Sequence, residues 1–176
     1  GTFGTRTDTV TVSGSYRYVR MYGQTRSVGN NWGYSIYEVK VYAAAVQVDL
    51  ALNKATAAST SIQSASLTVD GNGTSRWESA HAVDPSWLSV DLGAQYSLSS
   101  VVIDWEAANA ANYQLQGSND NVNWATLATK TNGAFGNRTD TVTVSGTYRY
   151  VRMYGTSRSV GNNWGYSIYA MKVYAA

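Results

Sequence analysis

Asp140-Thr141-Val142-Thr143-Val144, with Arg149-Tyr150-Val151-Arg152-Met153-Tyr154 close behind it, places apolar side chains at alternate positions in two successive runs. A period of two marks strands that bury one face and wet the other, and β-branched residues suit the pleat. Leu88-Ser89-Val90-Asp91-Leu92 and Val101-Val102-Ile103-Asp104-Trp105 extend the pattern upstream, while Tyr113 to Gly117 and Ile168 to Tyr174 continue it. Turn-forming clusters such as Ser118-Asn119-Asp120-Asn121 and Gly161-Asn162-Asn163 lie between the runs. No stretch long enough for three helical turns keeps a 3.6-residue period without a Gly or β-branched interruption. The chain is therefore expected to be all-β, an antiparallel β-sandwich or jelly roll of many short strands.

Outside these runs the strongest feature is a duplication. Residues 1–44 recur at 133–176 with a constant offset of 132, so that Trp32 matches Trp164 and Tyr42 matches Tyr174; 37 of the 44 pairs are identical. Such a period is too long for a solenoid and fits a whole domain repeated in tandem. We read 45–176 as one complete domain and 1–44 as the C-terminal third of a preceding repeat.

The charge balance is slight, 13 Lys and Arg against 11 Asp and Glu, for a net +2. That is too little for a phosphate-tracking surface, so nucleic acid is not an expected partner. Among the aromatics, 14 Tyr and 6 Trp outweigh 2 Phe, a bias towards rings with a polar handle that suits a wet stacking surface. The absence of cysteine excludes disulfides and thiol chemistry. No apolar run approaches the roughly 18 residues of a membrane span, and no charged-then-apolar leader opens the sequence. We expect a soluble chain from which any targeting segment has been removed.

Five further motifs carry a resemblance. Leu50-Ala51-Leu52-Asn53-Lys54-Ala55, then Val69-Asp70-Gly71-Asn72 with Ser75-Arg76-Trp77, then Trp87 to Gly93, then Tyr113 to Asp120, then Tyr150 to Gly155 occur in order. Together they resemble carbohydrate-binding module family 32, in the discoidin group named after the C-terminal domains of coagulation factors. The resemblance covers 45–176 and implies an eight-stranded antiparallel jelly roll, galactose-binding-domain-like, with adjoining termini and a ligand gripped by loops at one end. Because the termini adjoin, 45–132 can be closed by 133–176 or, in a permuted sense, by 1–44. Closure by 133–176 is expected; closure by 1–44 would bring Trp32 and Glu38 into the site instead. The surplus third leaves strand edges open, and is expected to be disordered, exchanged in a domain-swapped oligomer, or lost.

Trp77, Trp87, Trp124 and Tyr113 read as core, and Trp105 as core or rim. Family members that bind chitosan or galactose-like sugars use side chains at positions matching Gln63, Arg76, His81, Glu106, Trp164 and Tyr166. A flat ring for a sugar face, with charged and amide groups for vicinal hydroxyls, is suitable chemistry. Trp164 lies in Gly161-Asn162-Asn163-Trp164-Gly165-Tyr166, where a large ring is hard to bury. Arg76 would equally suit a buried tie to a carboxylate such as Asp70, His81 rests on the resemblance alone, and Glu106 would accept from hydroxyls or pair with a glucosamine ammonium. No cofactor is required. The family's structural calcium would fall on the Leu67 carbonyl, Asp70, Asn72 and Ser75, with a last-strand glutamate kept as Glu38 in the first copy and replaced by Ala170 in the second.

For catalysis the sequence offers only Asp104 or Glu78 with Glu106 as a carboxylate pair, no Cys or His cluster and no G-x-S-x-G motif. A membrane-inserting discoidin would need apolar loop tips, whereas these loops are Asn, Ser, Gly and Thr. An adhesion lectin would share the same site chemistry. The expected function is a non-catalytic polysaccharide-binding module, excised from a larger bacterial glycoside hydrolase, that anchors a secreted enzyme to a glucan. Chitosan and galactose-type ligands are the alternatives, and the neutral Gln63 favours glucan. One shallow site supports roughly −4 to −8 kcal/mol, in the μM to mM range, and tandem copies raise avidity on a polymer.

Overall fold

In the computed structural model, residues 3–42 and 47–176 are described, and the chain divides into two units, Gly1–Ala45 and Val46–Ala176. The second unit holds eight strands: β1 (Ala55–Ala58), β2 (Trp77–Glu78), β3 (Ser86–Trp105), β4 (Ala110–Ser118), β5 (Ala125–Lys130), β6 (Arg138–Thr143), β7 (Thr147–Arg158) and β8 (Ser167–Ala175). All pairings are antiparallel. The period-two runs at 88–92 and 101–105 form one continuous strand, β3, rather than two. Its first half pairs with β1 and β7 and its second half with β6 and β8, so a single strand feeds both layers of the sandwich. The register against β7 shifts between Asp91 and Tyr96, where Gly93 takes φ +86°, a conformation costly for any residue with a Cβ, and the transfer follows between Ser97, still paired with β7, and Leu98, paired with β8.

The inward set follows the alternation: Leu88, Val90 and Leu92, then Val101, Ile103 and Trp105 from β3, Leu115 from β4, Val151 and Met153 from β7, and Met171 and Val173 from β8. Trp77 and Tyr113 are core, and Trp105 resolves to core, packed edge-on against Tyr113 at 5.4 Å. Asp140 Oδ2 accepts from Trp105 Nε1 and the Tyr113 hydroxyl, both at 2.9 Å, and Arg138 Nε lies 3.1 Å away. Burial, the nearby Asp140 charge and its hydrogen bond push the Tyr113 phenol far above its ordinary range.

Trp87 and Trp124 depart from the core expectation. Trp87 is out of phase with Leu88 and Val90 and so faces outward, opposite Tyr154 on β7. The Arg152 guanidinium lies over both indoles, 5.7 Å from the Trp87 ring and 4.0 Å from that of Trp124. The ends of the second unit adjoin, with Leu50 N–H donating to the Val173 carbonyl at 2.8 Å and Val173 N–H to Asp49 Oδ1 at 3.0 Å. In the first unit no strand forms among the described residues.

Candidate functional site

Three loops meet at one end of the second unit. Asn109, fully buried, ties them together: its Nδ2 donates to the Gly136 carbonyl at 2.6 Å, and its carbonyl accepts from Ser159 N–H at 3.0 Å and Asn162 Nδ2 at 3.1 Å. Asn162 in turn shapes the loop carrying Trp164. Its Nδ2 also donates to the Gly165 carbonyl at 2.8 Å, and its Oδ1 accepts from Trp164 N–H at 2.9 Å. Arg158 Nη1 donates to the Trp164 carbonyl at 2.9 Å while Nε pairs with Asp84 at 3.1 Å. The loop is further clipped to 79–82 by Tyr166 N–H to Ser79 Oγ at 2.8 Å and Ala82 N–H to the Trp164 carbonyl at 3.1 Å. A Cβ at Gly165 would collide with the carbonyls of Ser79 and Ala80, so this approach requires glycine.

These restraints hold Trp164 with 48% of its surface exposed, its ring stacked on Phe135 at 6.4 Å and 15°. Gln63, Arg76 and His81 converge on Glu78. Gln63 Nε2 and Arg76 Nη2 both donate to Glu78 Oε2 at 3.2 Å, and His81 Nε2 lies 2.8 Å from Oε1. Arg76 thus ties to Glu78 and not to Asp70. The His81 hydrogen bond, opposed by burial and helped by the Arg76 charge, holds the Glu78 carboxyl below its ordinary value. Glu78 faces Ser167 across the β2–β8 pair, and the Ser167 carbonyl accepts from Glu106 N–H at 3.0 Å, which brings Glu106 to the same end. Its Oε2 accepts from Ala108 N–H at 2.8 Å. Among the described residues, the buried side-chain atoms without a hydrogen-bond partner are Arg76 Nε, Asn109 Oδ1 and Ser167 Oγ, all in this cluster.

Tyr166 corrects the expectation. It is fully buried and donates to Asp84 Oδ1, and burial, joined by that hydrogen bond and the Asp84 charge, pushes its phenol far above the ordinary range. It props the Asp84–Arg158 pair under the Trp164 loop and offers no face to a ligand. Two features were not foreseen: Glu78, read as a carboxylate for catalysis or a cationic sugar, is the centre of the polar network, and Phe135 is a second ring beside Trp164. Phe135 left a signal, since the two phenylalanines of the chain, Phe3 and Phe135, sit at the repeat offset.

The implied calcium set supplies oxygens alone. The Leu67 carbonyl, Asp70 Oδ2 and the Asn72 carbonyl surround Ser75 Oγ at 3.4, 2.7 and 2.9 Å. Asp70 is held below its ordinary range by the Ser75 hydroxyl and Asn72 N–H. With Ala170 on β8, this set has one carboxylate, weak for a hard cation that favours several charged oxygens. Among the described residues no group of three or more His, Cys, Asp or Glu could hold a metal.

The family model described as NedA-like, galactose-binding domain (F5/F8 type C) matches residues 67–153. Chitosan-binding module 1 of a chitosanase/glucanase from Paenibacillus sp. IK-5 is 41% identical, spans 73% of this chain and 99% of its own, and superposes with a TM-score of 0.67. The chain belongs to carbohydrate-binding module family 32, of the discoidin type. Module 2 of the same Paenibacillus enzyme, in complex with chitotriose, is 37% identical over 72% of this chain and all of its own, with a TM-score of 0.67. The family 32 module of C. perfringens NanJ, in complex with galactose, shares the fold at 21% identity, covering 73% of this chain and 99% of its own, with a TM-score of 0.63. No curated protein matches the sequence. Within this family 32 domain two of the carboxylates weighed for catalysis, Asp104 and Glu78, are held below their ordinary values. Burial raises the Asp104 carboxyl, but Lys172 at 2.9 Å and Thr139 outweigh it and the net shift is downward, as for Glu78. A glycosidase acid needs the opposite shift.

Proposed function

We propose that this domain is a non-catalytic polysaccharide-binding module that holds a secreted carbohydrate-active enzyme on its substrate, and that the substrate is a glucan. The reading rests on the half-exposed Trp164–Phe135 stack beside the Glu78 network. A pyranose ring laid on those indole and phenyl faces would present its hydroxyls to Gln63, Arg76, His81 and Glu106. Gln63, neutral where a binder of cationic sugar would gain from a carboxylate, favours glucan. Chitosan is the second reading: Glu106 uses one carboxylate oxygen on Ala108 N–H, leaving the other suited to a glucosamine ammonium, and two relatives bear the name chitosan-binding module.

Affinity electrophoresis of the wild type and Trp164→Ala through gels containing laminarin, α-glucan, galactan or chitosan tests both. Retardation by a glucan, lost in the variant, is the expected result. Retardation by chitosan alone selects the second reading, and retardation that survives Trp164→Ala removes the site from this end. For the anchoring role, a parent chain without a catalytic domain would overturn it.

A further inference from the structure

We infer that the Asn72–Gly73 step is a site of spontaneous covalent modification, at which the backbone nitrogen of Gly73 displaces the side-chain amide of Asn72 and water then leaves an aspartate or an isoaspartyl link. This goes beyond the sugar-binding reading and does not depend on it.

The chain contains two Asn-Gly steps, Asn72–Gly73 and Asn132–Gly133. Glycine favours the reaction at both, because without a Cβ its nitrogen can approach the carboxamide of the residue before it. The structure separates the two. Asn72, Gly73 and Thr74 are exposed, and a Cβ on Gly73 would meet nothing within 4 Å, so this peptide has room to turn. Among the described residues no hydrogen bond engages the Gly73 N–H or Asn72 Nδ2, which leaves the nucleophile and the leaving group both free. Gly133 is held instead. Its N–H donates to the Ala111 carbonyl at 2.9 Å, and Asn132 N–H donates to Asn112 Oδ1 at 3.1 Å, tying both residues to β4. A Cβ on Gly133 would lie 2.6 Å from the Ala110 carbonyl, so this peptide is pressed against the strand.

Asn72 is also arranged for attack. Its Oδ1 accepts from Thr74 N–H at 3.1 Å and from Thr74 Oγ1 at 2.8 Å. A side-chain oxygen bonded to the N–H two residues on folds its carboxamide back over the intervening peptide. Here that peptide is Gly73, whose nitrogen is thereby brought alongside Asn72 Cγ. The same two donors face the oxygen on which negative charge develops when the carbonyl is attacked.

The reaction needs water alone and involves no oxidation or reduction. Solvent base takes the proton of the Gly73 nitrogen, the nitrogen bonds to Asn72 Cγ, and the charge passes to Oδ1 against the two Thr74 donors. The Cγ–Nδ2 bond then breaks, and Nδ2 takes a proton from solvent and leaves as ammonia. Water opens the cyclic imide at either carbonyl, giving aspartate or an isoaspartyl link whose backbone runs through the side chain. Either product adds one negative charge and lowers the net charge from +2 to +1. The isoaspartyl form also lengthens the chain inside the loop where Asn72 N–H is tied to Asp70 Oδ1 and the Asn72 carbonyl to Ser75 Oγ, immediately before Arg76.

Peptide mapping by mass spectrometry after incubation of the full chain in mildly alkaline buffer tests the inference. Trypsin releases Ala55–Arg76, in which Asn72 is the only asparagine, and Thr131–Arg138, which holds Asn132. The mass gain of amide-to-acid exchange is expected at Asn72 roughly tenfold or more faster than at Asn132, whose release from β4 requires local opening. In urea the two rates should converge. Thr74→Val keeps the side-chain shape and the N–H but removes the hydroxyl, and should slow the folded-state reaction roughly three- to tenfold, the worth of one net hydrogen bond. Equal rates at Asn72 and Asn132 in the folded chain, conversion of Asn72 only in urea, a gap between the two that persists in urea, or an unchanged rate in Thr74→Val would each overturn the proposal.

Discussion

Asn162→Ala tests whether the Trp164 loop is held by the buried amide as the geometry indicates. The substitution removes three hydrogen bonds: two donated, to the Asn109 and Gly165 carbonyls, and one accepted from Trp164 N–H. The Asn109 carbonyl keeps Ser159 as a partner, so that loss is about 1 kcal/mol, whereas the buried Gly165 carbonyl and Trp164 N–H are left short. Together these give about 3 kcal/mol, a large part of the 5–15 kcal/mol that stabilises an ordinary domain. Urea unfolding followed by tryptophan fluorescence should show a midpoint lowered by about 1–2 M at unchanged slope. Polymer retention should fall even below the unfolding temperature, because Trp164 loses its fixed direction. The duplicate supplies the control. Asn30 makes the same local bonds in the first unit, where it is half-exposed, so Asn30→Ala should change stability by less than about 0.5 kcal/mol. A cost below about 1 kcal/mol for Asn162→Ala, or an equal cost for Asn30→Ala, would refute the reasoning.

Acid sensitivity should trace in part to Glu78, whose folded carboxyl lies below its ordinary value of 4.5. The stabilisation is fully present above that value and is lost as pH falls through the depressed folded value, so Glu78→Gln should flatten the stability profile below about pH 4.5; an unchanged acid limb would count against the network. Asp140→Asn should cost about 3 kcal/mol, since it leaves mostly buried Arg138 without its counter-charge and weakens the anchor shared by Trp105 and Tyr113; a fall in melting temperature of only a degree or two would contradict this. Ala170→Glu restores the last-strand carboxylate of the first copy, and millimolar calcium should raise the melting temperature of this variant more than that of the wild type. Equal calcium shifts would show that the set at Asp70 and Ser75 does not depend on that position.

Much of the fold was legible because alternation is a local signal with one physical cause, burial of one sheet face. It also carried information that residue type obscured. Trp87 looked like core by composition, yet its parity opposite to Leu88 and Val90 places it outside, where Arg152 covers it. The continuity of β3 was not legible, because Gly93 to Ser97 breaks the alternation at the point where the strand leaves one layer for the other. That passage is a long-range event, and no local pattern encodes it.

The site was legible in its chemistry more than its geometry. Gln63, Arg76 and His81 share one end of the domain by the resemblance, but that Glu78 ties all three together is a matter of side-chain geometry that no local pattern encodes. Tyr166 shares parity with exposed Trp164, yet β8 begins only at Ser167 and Trp164 sits in the preceding loop, so strand parity does not govern the pair. Along β8, Asp104 pairs with Ala170 and Trp105 with Ile168, so Tyr169 is an extra residue that reverses the phase. Upstream of this bulge, Tyr166 and Ile168 point inward, as Met171 and Val173 do downstream. The bulge therefore keeps Tyr166 in the inward set, while the loop bonds of Asn162 and Arg158 turn Trp164 away from it. Tyr166 lies under the loop as a prop for Asp84 and Arg158, and the loop holds Trp164 out against Phe135. A binding surface made this way depends on backbone restraints below it, which is why substitutions at Asn162 should weaken binding although the amide itself, being buried, need never touch a sugar.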